Sequence, residues 1–330
     1  MPARPEAVTK AIVLASGEDT PLHPMTQVVA RELLPVYDKP MIYYPISALM
    51  FAGIREMLVV SPLRQLRGFM ELLGSGSRLG VSFSYEESPE WHGHIAHNSQ
   101  AGSPCHETFL TAERFIDGDP VALVHADTIL LGRLDFLRDV LQPQDGATVL
   151  VVRGEPSACH PLVEWDGGSG AVHAAGACRD NRQRYVAAGI SVYDGQVIRI
   201  VKGLFTSGHE NPTLIDINRE YSRQGCLQAY RLPPGVIWLD GRAPSDLLKA
   251  SNLVATFERR NGCKLGCLEE AAFRMGYISA ERLRRLVCDL PEGDYREYLS
   301  RLAPNVGRKS RTRGERPWLS PSIPFAHTVR

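Results

Sequence analysis

Ala11-Ile-Val-Leu-Ala15 and Val121-Ala-Leu-Val-His125 are short, unbroken apolar runs, and the first ends in the turn signal Ser16-Gly17-Glu18-Asp19-Thr20-Pro21. Unbroken apolarity closed by a turn reads as a strand buried on both faces. The intervening segments fit such a sheet. Residues 41–52 read as a helix, with Pro45 confined to its early turns and Gly53 as C-cap. Residues 56–61 read as a second strand and 63–73 as a helix. Residues 81–85 alternate as a strand, 109–115 look helical, and 148–152 form another buried strand. Strands alternating with helices predict an α/β fold built on a doubly wound, mostly parallel sheet. In such a sheet the loops after Ala15 and after His125 face one crevice, at the edge where ligands bind.

Beyond about residue 153 the pattern changes to shorter β segments, at 162–165, 187–193, 228–231 and 236–239. Helices are expected at 244–261, 268–275, 280–288 and 294–302. This divides the chain into a flexible N-terminus (1–9), an α/β domain with a β-rich part (10–242), a C-terminal helical region (243–305) and a basic tail (306–330). The tail is rich in Arg, Pro and Ser and is expected to be disordered. Lys plus Arg (37) balance Asp plus Glu (37), so no global charge draws the chain to nucleic acid or membrane. No apolar run has the length of a transmembrane helix, and the N-terminal residues carry no signal-peptide core. The seven cysteines are scattered and form no C-x-x-C pair, which suits a reducing compartment; a cytoplasmic location is expected.

Several stretches resemble the sugar-1-phosphate nucleotidylyltransferase family, and within it the glucose-1-phosphate thymidylyltransferases. They are Glu32-Leu-Leu-Pro-Val-Tyr-Asp-Lys-Pro-Met-Ile-Tyr-Tyr-Pro45, Leu72-Leu-Gly-Ser-Gly-Ser77, Asp216-Ile-Asn-Arg-Glu-Tyr221, Trp238-Leu-Asp240, the run from Ala250 to Glu258, and Glu269-Glu-Ala-Ala-Phe-Arg274. They keep a consistent order over residues 10–303. The resemblance implies a nucleotide-binding α/β domain, a β-rich sugar-binding part (Gly189 falls among its expected substrate contacts) and a helical assembly region in a homo-oligomer.

The same resemblance sets the expected chemistry. Nucleotidylyl transfer needs a cradle for the triphosphate, cations on the developing charge and carboxylates for magnesium. The family's cradle reads G-G-x-G-T-R; the matching residues here are Ser16, Gly17, Glu18, Asp19, Thr20 and Pro21. Two glycines that let backbone amides approach phosphate are gone, and two carboxylates stand where a polyanion lies. A unit charge repelled at 4 Å costs about 1–4 kcal/mol at effective dielectrics of 80 to 20. Pro21 replaces the arginine that grips phosphate and offers no donor. Arg31 stands for the family's lysine, still cationic but of different shape. The family's glutamate–lysine pair falls near Gly176 and Ala177. Its Y-G-V-V-E-F segment reads His160-Pro-Leu-Val-Glu-Trp165, and its R-G-E stretch His209-Glu-Asn211. Asp127 matches the family's first magnesium-binding aspartate and Asp240 the second, so magnesium is the cofactor the resemblance implies.

A further departure lies in the substrate loop, where Pro89-Glu-Trp-His92-Gly93-His94-Ile-Ala-His97 precedes an insertion before Phe109. His92, Gly93 and His94 are candidate substrate contacts. His92, His94 and His97, with Cys105 and His106 nearby, are metal-binding or acid–base types, although their spacing matches no zinc signature. His125 is a candidate crevice residue. The residues leave three functions open. One is a diverged family member with ordinary transfer lost or impaired, repurposed or acting as a ligand-binding pseudoenzyme. Another is an active magnesium-dependent enzyme for an unusual nucleotide or sugar phosphate. The third is a non-catalytic assembly subunit of an active paralogue.

Overall fold

The computed structural model describes residues 8–15, 21–88, 105–142, 145–154, 162–165, 172–174, 184–209 and 212–303. Strands and helices are numbered here in chain order. Strand β1 (Lys10–Leu14) lies at the centre of the main sheet, parallel to β4 (Glu56–Pro62) on one side and to β6 (Val121–His125) on the other. Outside β4 runs β5 (Ser82–Ser88), also parallel. On the other side, β11 (Arg184–Tyr193) pairs antiparallel with β6 and continues onto both β9 (Leu162–Trp165) and β8 (Ala147–Arg153). β10 (Val172–Ala174) closes the edge against β9, and β12 (Leu227–Arg231) runs parallel to β8. The expected parallel sheet is therefore a four-stranded parallel core, extended through the antiparallel β11.

Period-two alternation explains why β1 has no polar side. Ala11 and Val13 enter one core and Ile12 and Leu14 the other, all within 2% of full burial. The first core holds side chains of α1 (Tyr43–Ala52), α2 (Leu63–Leu73), α5 (Phe136–Val140), α9 (Leu268–Arg274), α10 (Ala280–Cys288) and α11 (Asp294–Leu302). The second holds those of α3 (Cys105–Thr111), α4 (Glu113–Ile116), α6 (Val197–Thr206) and α7 (Leu214–Arg223). Gly53 ends α1 at φ 111°, in the left-handed C-cap conformation expected of it.

Helices α2, α8 (Pro244–Asn261), α10 and α11 fall on the residues expected from the sequence. The helix expected at 109–115 is broken in two, with Ala112 between the pieces. Helix α6 and strand β7 (Thr128–Leu131) were not anticipated. Nor was α7, which contains the family-like stretch Asp216–Tyr221. There Thr213 and Asp216 form a reciprocal cap, Asn218 accepts from the Tyr193 hydroxyl at 2.9 Å, and Tyr221 donates to Asp194 at 2.8 Å. These residues hold the helix to the sheet and lie within the fold's support. The expected tail at 306–330 lies outside the described residues.

The most family-like stretch forms a compact hairpin. A 3-10 turn, Arg31–Leu33, leads into β2 (Pro35–Val36) and β3 (Lys39–Pro40), and Ile42 closes it by donating to the Glu32 carbonyl at 2.9 Å. Its tip carries Asp38 and Lys39 into a charge cluster with α8 and the loop after it. Lys39 Nζ lies 2.9 Å from Glu258, Lys264 lies 3.0 Å from the other Glu258 oxygen, and both lysines also engage Asp38. Two cations and two carboxylates balance. Burial alone would raise the Asp38 carboxyl, but hydrogen bonds from Lys264 and Lys39 outweigh it and hold it below the usual range. Lys39 is only 3% exposed, so its charge depends on these partners. Glu258→Ala leaves the Lys39 and Lys264 ammoniums with Asp38 alone, and we expect a loss of about 3–5 kcal/mol in urea unfolding; Arg67→Ala, in an exposed helix pair, should leave the urea midpoint nearly unchanged.

Candidate functional site

The parallel core places all four carboxyl ends on one edge. The chain proceeds from β1 to β4 and β5 on one side, then crosses to β6 on the other, so the topology switches between β1 and β6. Ligand crevices of open α/β sheets lie outside such a switch point. Leu14 is in register with His125, and the ladder runs past both strand ends: Ala126 donates to the Leu14 carbonyl and Ala15 to that of Val60, each at 2.9 Å. The loops after Ala15 and after His125 thus leave side by side, as the apolar runs imply.

Asp127 sits where the chain leaves β6 for β7, and β7 pairs antiparallel with β13 (Ile237–Asp240). In that register Asp240 lies opposite Thr128. Asp127, Asp240 and the next residues of the β13 strand therefore meet at one point. A Cβ at Gly241 would come within 2.1 Å of the Met41 methyl, so that side chain would have to shift. Asp127 is 2% exposed, and its Oδ2 forms ion pairs with two guanidiniums, lying 3.0 Å from Arg31 Nη2 and 2.9 Å from Arg242 Nε. Arg242 Nε also lies 3.8 Å from Asp240 Oδ2. Arg31, brought in by the hairpin, further contacts Glu32 at 3.1 Å. The structure brings together three residues expected from the sequence, Arg31, Asp127 and Asp240. It adds two that were not expected, Arg242 and Glu32. A cation two residues past a candidate metal ligand is the sequence signal for Arg242; Glu32 gave none, since it lies within the hairpin motif.

Glu32 is fully buried, and its Oε2 and the Nε of Arg31 have no hydrogen-bond partner among the described residues. Burial pushes the Glu32 carboxyl above its usual range; Arg31 opposes this and the Asp127 charge reinforces it.

The other expected residues divide clearly. His125 is half-buried at the end of β6. Gly189 has φ +74°, and a Cβ there would come within 2.2 Å of Thr128 Oγ1 and 3.5 Å of the His125 Cβ, so the β11 backbone passes directly behind the crevice. Its irregular register with β8, between Ala187 and Ser191, marks the same place. His106 lies in the interior. It is 3% exposed, with Nδ1 2.8 Å from the Pro212 carbonyl and its ring edge-on to Phe205. Gly17, Glu18, Asp19, His92, Gly93, His94 and His97 lie outside the described residues. A cavity of about 240 Å³ lined by Tyr44, Phe51, Leu130, Arg138, Lys264 and Arg274 lies between α1, the end of β7 and α9. It contains none of the crevice residues and is a separate feature.

The donor set does not fit the magnesium that the resemblance implies. An ion bridging Asp127 and Asp240 needs oxygen contacts of about 2.1 Å. The Arg242 guanidinium already contacts the same two oxygens and would bring a positive charge against the ion. Among the described residues, no group of three or more His, Cys, Asp or Glu is arranged to hold a metal.

This is an α/β fold with a cluster of charged side chains at its topological switch point, the edge where open α/β sheets bind ligands. Residues 10–256 match the family model described as Nucleotidyl transferase, and the chain belongs to that family. Its relatives include glucose-1-phosphate thymidylyltransferases from Xanthomonas campestris, 36% identical over 296 residues, and Neisseria meningitidis, 35% identical over 295 residues. Each alignment covers 89% of this chain, with 97% and 99% of the respective relative. A solved structure from Bacillus anthracis, described as a glucose-1-phosphate thymidylyltransferase in complex with a sucrose, superposes with TM-score 0.63 at 24% identity. It covers 74% of this chain and 94% of its own. An inositol-1-phosphate CTP transferase from T. maritima gives 0.60 at 18% identity, covering 77% of this chain and 98% of its own. These two likenesses bear on the fold alone. No helix of the described residues is long and apolar enough to cross a membrane.

Two outcomes follow from the geometry. Gly189→Ala should displace Thr128 and lower stability by about 1–3 kcal/mol, readable as a shift in the urea midpoint. For Glu32, a carboxyl whose pKa is raised by folding gives stability that is full below its ordinary value of about 4.5 and is lost as pH rises through the folded value. Glu32→Gln carries no such charge. The urea midpoint of the native chain should therefore fall relative to Glu32→Gln as pH rises from 4.5.

Proposed function

We propose that this chain is a diverged glucose-1-phosphate thymidylyltransferase-like protein whose crevice binds a nucleotide or sugar phosphate while ordinary thymidylyl transfer is strongly impaired. The observation that carries the reading is the loop leaving β1. Its root, Ala15, is fully buried and fixed by the hydrogen bond to Val60, and the chain returns at the exposed Pro21. Between them the sequence carries Glu18 and Asp19, at the positions that match the family's triphosphate cradle. A triphosphate there meets two carboxylates and lacks an arginine, each unit charge opposing it by about 1–4 kcal/mol at 4 Å. What remains favourable to an anion is Arg31 and Arg242, which suits a ligand with less charge than a nucleoside triphosphate.

A second reading, active transfer on an unusual substrate, draws support from Asp127 and Asp240 lying at adjoining strand ends. Direct assay separates the two. Purified chain given dTTP, glucose 1-phosphate and magnesium should release pyrophosphate at least about 10²–10³-fold more slowly than the Xanthomonas relative. A comparable rate overturns the proposal. A thermal-shift series with sugar phosphates and nucleoside mono-, di- and triphosphates tests the binding half, because a ligand specific to the native state raises Tm.

A further inference from the structure

We propose that Arg242 is a tethered replacement for the divalent cation of this crevice, and that the site works without bound metal. The argument rests on position and charge. Asp240 and Arg242 leave the same strand end two residues apart, with Gly241 between them. Pairing of Asp240 with Thr128 fixes that end beside Asp127. The Arg242 side chain is 20% exposed and its Nε lies 2.9 Å from Asp127 Oδ2 and 3.8 Å from Asp240 Oδ2. A guanidinium lying against two carboxylates takes the position of a bridging ion: it offsets part of their charge and, with Arg31, keeps cationic groups at the crevice. It differs in being covalently supplied, so it is present at any metal concentration.

The charge count agrees. Arg31 and Arg242 already set two positive charges beside Asp127, Asp240 and the buried Glu32, so these carboxyl groups have cations against them without a divalent ion. The backbone favours the arrangement as well. Gly241, without a side chain, packs close to the Met41 methyl immediately before the residue at the cluster. This inference extends the preceding reading, since a site with its own cation can still bind a phosphate-bearing ligand, but its test does not depend on turnover.

The test uses the full chain and Mn²⁺, a spin probe for oxygen-ligated divalent sites, titrated and read by electron paramagnetic resonance. The native chain and Arg242→Lys should both leave Mn²⁺ free. Arg242→Gly and Arg242→Gln should bind one ion, at least about thirtyfold more tightly than the native chain, as removal of a unit charge about 4 Å from a dication requires. Adding Asp127→Asn to Arg242→Gly should abolish that binding, which places the ion at the cluster. Thermal unfolding of each variant checks that it folds, and the two charge-removing variants guard against failure of either. Native chain binding Mn²⁺ as tightly as Arg242→Gly overturns the proposal. So does failure of both folded charge-removing variants to bind, because the guanidinium is then not what keeps the ion out. Release of pyrophosphate by the native chain at a rate comparable to the Xanthomonas relative sinks the preceding proposal, whereas only the Mn²⁺ titration decides this one.

Discussion

Strand β1 is hydrogen-bonded on both sides to parallel neighbours, and most of the molecule follows from that constraint. A strand so placed must be apolar on both faces, which requires helices above and below. Its neighbours must point the same way, so their carboxyl ends form one edge. Because β4 and β6 lie on opposite sides of it, the chain has to reverse its direction of travel across the sheet, opening a crevice between Ala15 and Ala126. Asp127 stands at that crevice because it is the second residue beyond β6.

The charge cluster around Asp127 is assembled from three parts of the chain that are remote in sequence. Arg31 arrives on the 31–42 hairpin, Asp127 on the turn from β6 to β7, and Asp240 with Arg242 on the end of β13. The hairpin is held at its other end by the Asp38, Lys39, Glu258 and Lys264 cluster, which ties it to α8 and to the loop after that helix. Two sets of paired charges thus brace one short hairpin. Paired buried charges add little net stability over apolar substitutes, but removal of one partner is costly. Such clusters resist piecemeal change, and this accounts for a motif that stays family-like while the loop after β1 does not.

The elements that were easiest to foresee are those whose signal is local. Residues 121–125 and 162–165, and helices 63–73, 244–261, 280–288 and 294–302, fall where apolar pattern and terminal residues put them. The elements that were missed depend on partners elsewhere. β7 has only four residues, and its strand character comes from pairing with β13, more than a hundred residues away. The helix expected at 109–115 breaks at Ala112, which is fully buried beneath the sheet, and no local signal marks the interruption. His106 is buried because it packs against Phe205 of α6, a contact that its sequence neighbours do not signal.

For the site, the sequence by itself determined the fold family, the strand ends that border the crevice, and the residue types at Glu18, Asp19, Pro21, Arg31, Asp127 and Asp240. These follow from short-range pattern and from motifs read in order along the chain. Only the tertiary structure decided that Arg242 shares Asp127 with Arg31, that Glu32 is buried beside them, and that Gly189 clears Thr128. The physical reason is that charge and close-contact energies depend on distances of 2–4 Å between groups far apart in the chain, and strand register rather than sequence spacing sets those distances.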